Sequence, residues 1–166
     1  MAKSTGLAQK FFHGIYDLSG DIGSVSSWST PVAVLDVTGI DKSAIERVQG
    51  LSDGTVSFNA FFNDAAAAEH VALRVPSSGA VVTWAMGSTV GDVAGMMQGQ
   101  GVSYDPTRGP DGGLAFDVEM VNYASPAVWG VMLTPGLKTD TSAANGATLD
   151  QGAQTTAGAE AILHVT

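Results

Sequence analysis

Two segments alternate so strictly that they leave little freedom in what they can become. In residues 54–62, GTVSFNAFF, the side chains of Val56, Phe58 and Ala60 fall on one side and those of Thr55, Ser57 and Asn59 on the other. In residues 113–123, GLAFDVEMVNY, Leu114, Phe116, Val118 and Met120 share one side, with Ala115, Asp117, Glu119 and Val121 opposite. A period of two marks a half-buried strand, because successive side chains point to opposite faces of a sheet. Each segment supplies one core face and one face for something else. Asp117 and Glu119 lie on the second, as candidate solvent-facing or channel-facing acids.

Turn formers divide the rest of the chain into further short strands. Residues 11–16 are an apolar and aromatic run closed by DLSGD, and residues 32–38, VAVLDVT, follow Pro31 at a position that suits the start of a strand. Residues 39–50 predict one or two helical turns, from a cap near Asp41 to a stop at Gly50. After residues 54–62, Asn63 or Asp64 caps a predicted helix over AAAAEHVALRV, ended by Pro76. Residues 80–87 and 127–133 are apolar strands. Residues 96–104 predict a strand with a bulge or kink at Gly99 and Gly101. Residues 105–113 hold two Pro and three Gly in nine residues, which predicts a long turn at the tip of a projecting hairpin, with Pro110 at its end. Residues 134–158 contain only Leu137 and Leu149 as large apolar side chains, so this stretch is expected to be a long loop or assembly arm. A short strand, AILHVT, follows. One helix among about seven strands defines a β-rich α+β fold, a sandwich or barrel with one flanking helix, in a single domain over 1–166.

Charge narrows the function. Sixteen acidic and seven basic residues give a net charge of −9, with the cations scattered singly. Since contacts to phosphate dominate nucleic-acid affinity, such a chain repels DNA. Only 14% of residues are charged, against about 25% in ordinary globular domains. A surface this poor in charge suits a protein that lives against other subunits. There is no Cys, hence no disulfide and no thiol chemistry. No stretch approaches the roughly 20 apolar residues of a membrane span. The N-terminus carries Lys3 and Lys10 but no apolar run before Asp17, unlike a secretory leader. A soluble protein made in the cytoplasm is expected.

No catalytic constellation is present. His13, His70 and His164 fall on a strand, a helix and the last strand without ligand spacing, and are expected at the surface or on edges. Gly99-Gln-Gly101 lacks the third glycine and the helix of a dinucleotide loop. The spacing of Asp105, Asp111 and Asp117 does not fit a calcium loop, because Pro and Arg stand where ligands belong. Trp28, Trp84 and Trp129 are far apart in sequence and serve as core or contact anchors. Neither a cofactor nor a metal site is expected, and an enzyme is the least favoured class.

Three stretches, residues 16–64, 103–121 and 133–153, resemble the major tail proteins of long-tailed phages of actinobacteria. The resemblance lies in wording such as SYDPTRGPDGGLAFDVEMV and LTPGLKTDTSAANGATLDQGA, and it spans nearly the whole chain. It implies a tail-tube subunit: a β-sandwich with a flanking helix, stacked as rings around a lumen that passes DNA. Its implied partners are copies of itself in hexameric rings, a tape measure and other tail proteins, and its implied place is the tail of a virion. Leu137, Leu149 and Pro110 are then candidate subunit contacts, and Asp117 and Glu119 candidate lumen residues. A capsid decoration or head-surface protein, and a carbohydrate-binding β-sandwich module, remain as alternatives.

Overall fold

The computed structural model describes residues 6–76, 78–133 and 163–164. Eleven strands and one helix follow in order: β1 Lys10–His13, β2 Tyr16–Asp17, β3 Ile22–Ser29, β4 Val32–Asp36, β5 Arg47–Ser52, β6 Thr55–Phe61, α1 Glu69–Leu73, β7 Ser78–Ala85, β8 Val93–Arg108, β9 Leu114–Asn122, β10 Val128–Met132 and β11 Leu163–His164. Nine strands form one antiparallel sheet along the path β2-β1-β7-β8-β9-β6-β3, with β10 and β11 attached beside β8. The hairpin β4-β5 is a separate two-stranded sheet. The fold is thus β-rich with one short helix.

The sheet curls on itself. Phe11 of β1 and Phe58 of β6 lie with ring centroids 4.6 Å apart, although β7, β8 and β9 separate their strands along the sheet. The alternation of β6 and β9 produces this closure: Val56, Phe58, Ala60, Phe116, Val118 and Met120 all enter one core with Phe11, Leu18, Val82 and Met97. Each fully buried large aliphatic or aromatic side chain contributes about 1.5–3 kcal/mol relative to exposure, so these two strands are the main anchors of the fold. Leu114 alone of its row is exposed, at the end of β9. Along the seam, the Phe11 N–H donates to Ser19 Oγ (3.0 Å) and the Phe11 carbonyl accepts the Leu18 N–H (2.9 Å).

Both ends of the curled sheet are filled. At one, α1 adds Ala72 and Leu73 to the core. At the other, Trp28 of β3 lies 6.3 Å from Trp84 of β7 and 6.0 Å from Trp129 of β10, measured between ring centroids. Gly95 makes room for this cluster, since a Cβ there would lie 2.7 Å from Trp28 Cε2.

Three sequence expectations are corrected. Residues 39–46 are turns and bends and Arg47–Ser52 is a strand, so no helix runs from Asp41 to Gly50. Helix α1 is five residues long. Ala67 sits at φ 64, a left-handed conformation that costs an alanine roughly 1–2 kcal/mol and interrupts a right-handed helix. Asn63 Oδ1 therefore accepts from the Ala65 N–H (3.1 Å) within a turn, and the first helical N–H, of Glu69, donates to Asp21 Oδ2 (3.2 Å). Third, 105–108 is not turn: β8 runs through Arg108, pairing Asp105 with Asp117 and Arg108 with Leu114, and the turn is confined to the residues between the strands. The bulge expected near Gly101 is present as a register shift between Gly101 and Ser103.

Candidate assembly site

Two surfaces set this chain apart from an ordinary small barrel. The first is the outward face of β3, β6, β9 and β8. Strand register places Ser24, Asn59, Asp117 and Asp105 in one row across four strands, and Ser27, Ser57, Glu119 and Ser103 in the next. Asp117 is exposed and Glu119 partly so, both turned from the core that Phe116, Val118 and Met120 enter. Uncharged groups satisfy Asp117: Asn59 Nδ2 donates to Oδ1 (2.8 Å) and Thr107 Oγ1 to Oδ2 (3.4 Å). Neither row contains a Lys or Arg. The salt bridges among the described residues, Lys10–Asp17 and Lys42–Glu46, lie elsewhere. Like charges directly opposite on neighbouring strands destabilise a sheet, so the Asp105–Asp117 pair costs the isolated chain stability.

The second surface is the hairpin β4-β5, an arm leaving the barrel between β3 and β6. No residue of 31–52 belongs to either core cluster, yet Val32, Val34, Leu35, Val37, Ile40, Ile45, Val48 and Leu51 are all exposed, Leu51 at 87%. Register pairs Leu35 with Val48 on one side and Asp36 with Arg47 on the other. Ala33 joins the apolar side, where a Cβ on Gly50 would lie 3.4 Å from its own. Polar bonds hold the arm's far end in shape: the Thr38 N–H donates to Asp36 Oδ1 (2.9 Å), the Glu46 N–H to Thr38 Oγ1 (2.8 Å) and the Val37 N–H to the Glu46 carbonyl (3.0 Å). The Thr38 hydroxyl also donates to Asp36 Oδ1 (2.5 Å), and this bond first, the Thr38 N–H second, holds the Asp36 carboxyl below its ordinary pKa. A two-stranded hairpin is marginal in water on its own, and this one presents an apolar face with nothing of the described chain over it.

Other candidates take different places. Pro110 is exposed in the tight turn between β8 and β9, while Leu137 and Leu149 lie outside the described residues, as does the whole expected arm 134–158. Asp111 turns back on its own loop, Oδ1 accepting the Gly113 N–H (3.2 Å). No group of His and acidic residues suited to a metal occurs among the described residues. The three tryptophans, separate in sequence, pack on one another as tilted rings rather than as a flat platform. His13 is not at the surface: it is buried, and desolvation lowers its pKa. His70 is half-buried, with Nδ1 3.0 Å from the Tyr104 hydroxyl.

Beside that pair lies Glu69, fully buried at 0% exposure. Burial raises its pKa. The Tyr104 hydroxyl, the Asn63 backbone and His70 offset this only in part, and Asp21 adds to it. Tyr104 is in turn pushed well above the ordinary phenol range, by its own burial and then by Glu69. This group ties the turn before β3, α1 and β8 together and is structural. Sequence reasoning missed this group, and of the β4-β5 arm it found the first strand, expected over 32–38, but read the second as helix. The second strand, RVQGLS, has only Val48 and Leu51 as large apolar residues, so its own sequence carries little strand signal.

The chain is a curled, barrel-like antiparallel sheet with one short helix, an anionic outer face and a projecting hairpin. No family model matches the sequence, and no curated protein matches it. Among solved structures, the chain is similar to one from the tail of an empty GTA particle with C6 symmetry, at a TM-score of 0.53 and 16% identity, covering 75% of this chain and 96% of that one. At this identity the likeness is one of fold.

Proposed function

We propose that this chain is the tail-tube subunit of a long-tailed phage, stacking as rings to form the conduit through which DNA leaves the particle. The four-strand face carrying Asp105, Asp117 and Glu119 without a cation carries the reading. DNA presents about one negative charge per 1.7 Å of its axis, so a wall bearing Lys and Arg would bind phosphate and arrest transit. Serines, Asn59 and carboxylates without a cation beside them give a wall that is wetted but repels the polymer. As a free surface the face only costs stability; as a channel lining it has a use. Similarity of fold to a C6-symmetric GTA tail chain supports the same reading, with six copies per ring, a tape measure inside the tube, and the virion tail as the location. The sequence resemblance adds actinobacterial hosts.

The arm supplies what stacking needs. Covering one exposed Val, Leu or Ile gains about 1.5–3 kcal/mol, and the arm carries several on one hairpin. In an assembly the edge and face that a monomer must shield become the joint. Negative-stain electron microscopy of the purified protein at high concentration and near-physiological salt tests this. Hollow rings or tubes are expected; a monodisperse monomer under every condition, also with an added tape-measure or tail-tip scaffold, would sink the reading.

A further inference from the structure

Strand β8 changes partners in mid-course. One stretch of it, Val93 to Met96, pairs with β10, and from Gly99 onward it pairs with β9. Met97 and Gln98 fall between, where the Gln98 carbonyl accepts only the Tyr123 N–H (2.7 Å) from the loop that follows β9. The exchange leaves a notch of about 410 Å3, lined mainly by Val81, Met96, Met97, Pro126 and Val128 and by no charged residue. Val81 is exposed at its rim. Thioether side chains are unbranched and adapt to what enters.

We infer that this notch on one copy receives the apolar side of the β4-β5 arm of a second copy, with Leu35 and Val48 as the inserting pair. This rests on the self-assembly proposed above. One chain carries both a projecting apolar face and an uncharged apolar recess, and the described residues fill neither. Charge selects the same two surfaces: copies at −9 each repel wherever acids face acids, whereas the notch has no charged residue and the Leu35–Val48 side of the arm has none between its strands. At the arm's root the Asn122 N–H donates to the Gly54 carbonyl (2.7 Å), and a Cβ on Gly54 would lie 2.9 Å from Ala127 Cβ, so the arm departs from a rigid point beside Pro126 and Val128. A contact between unlike patches of identical subunits repeats head to tail, giving rings or helical stacks rather than closed dimers. A foreign partner would need to match the lack of charge, which the chain already does for itself.

The chain has no cysteine, so engineered ones report proximity cleanly. Val48→Cys and Val128→Cys proteins, purified separately, are mixed and oxidised under conditions in which the parent assembles. A disulfide needs Cβ atoms about 4 Å apart. The mixed disulfide dimer is therefore expected at roughly tenfold or more the yield of Val48→Cys with Ser27→Cys, a site on the polar face. Should Val128→Cys not fold, Val81→Cys at the exposed rim takes its place. Rings or tubes without the cross-link overturn the notch and leave the tail-tube reading standing. Neither particles nor cross-link overturns both. A Val128→Cys, Leu137→Cys double variant that closes within one chain, in preference to the mixed dimer, overturns the notch as the arm's receptor.

Discussion

Glu69 shows how one buried carboxyl can set a pH dependence. Its pKa is raised from the ordinary 4.5, chiefly by burial. Between 4.5 and the raised value the folded chain therefore holds more protons than the unfolded one, so stability falls as pH rises through that window. The penalty is complete above the folded pKa and absent below the unfolded one. Glu69→Gln removes the charge and keeps the shape. At pH 7 it should be more stable than the parent by about 1–3 kcal/mol, the scale of a poorly satisfied buried polar group, and the gap should close on acidification towards pH 4. Melting curves of both proteins across that range decide; a gap that does not change with pH refutes the assignment. His13 acts in the opposite sense, its lowered pKa costing stability as pH falls below 6.5, but it is common to both proteins and cancels in the difference. A second test is steric. Gly95→Ala drives a Cβ to within 2.7 Å of the Trp28 ring, and overpacking of this kind costs about 1–3 kcal/mol; the near-ultraviolet circular dichroism of the tryptophans should change with it. Neither site was legible from sequence. A glutamate beside an alanine run looks solvated until Asp21 arrives from the turn before β3 and Tyr104 from β8, and Trp28 meets Trp84 and Trp129, which register sets either side of Gly95, only because the sheet curls.

At the scale of elements, legibility followed periodicity. Strands β6 and β9 were readable residue by residue because alternation is local and a one-residue slip would expose Phe58 or Val118. The helix was placed correctly but drawn too long: alanines favour a helix by propensity, yet Ala65 to Ala68 have little side chain to bury and Ala67 adopts φ 64 instead. The arm was half legible, since β4 was expected as a strand over 32–38. Its second half was read as one or two helical turns from Asp41 to Gly50, whereas Arg47–Ser52 is a strand and Ile45 and Val48 are exposed. Its independence from the core makes a sharp prediction. The Asp53 N–H donates to the Pro31 carbonyl (2.8 Å), so the two ends of the arm are adjacent. Replacing residues 32–52 by a short Gly/Ser turn should leave the thermal midpoint of the monomer within a few degrees, since no core contact is lost and shortening a loop lowers closure entropy only slightly. The same variant should form no rings or tubes by electron microscopy. A variant that unfolds would show the arm to be part of the domain; one that still assembles would show it to be dispensable for stacking.

The whole molecule balances two electrostatic costs against association. Copies of charge −9 repel at every distance shorter than the Debye length, about 8 Å at physiological salt and 30 Å at 0.01 M. The proposed joint between arm and notch is apolar, and salt does not weaken such a contact. Assembly should therefore strengthen from 0.01 M to 0.15 M salt, the reverse of an assembly held by ion pairs, with sedimentation at fixed protein concentration as the measure. The anionic face should respond differently from the joints. Replacing Asp105, Asp117 and Glu119 together by Lys converts two acid-bearing rows into cationic ones without touching the core face of β9 or the arm. Tubes should still form. If the face lines the channel, the variant tubes retain linear double-stranded DNA that the parent releases, and the retention weakens steeply between 50 mM and 200 mM salt, as phosphate contacts do. Retention must also need a free DNA end, because a closed circle cannot thread a tube. Circular and linear DNA held equally would place these residues on the outside of the assembly, and the acidic rows would then need another use.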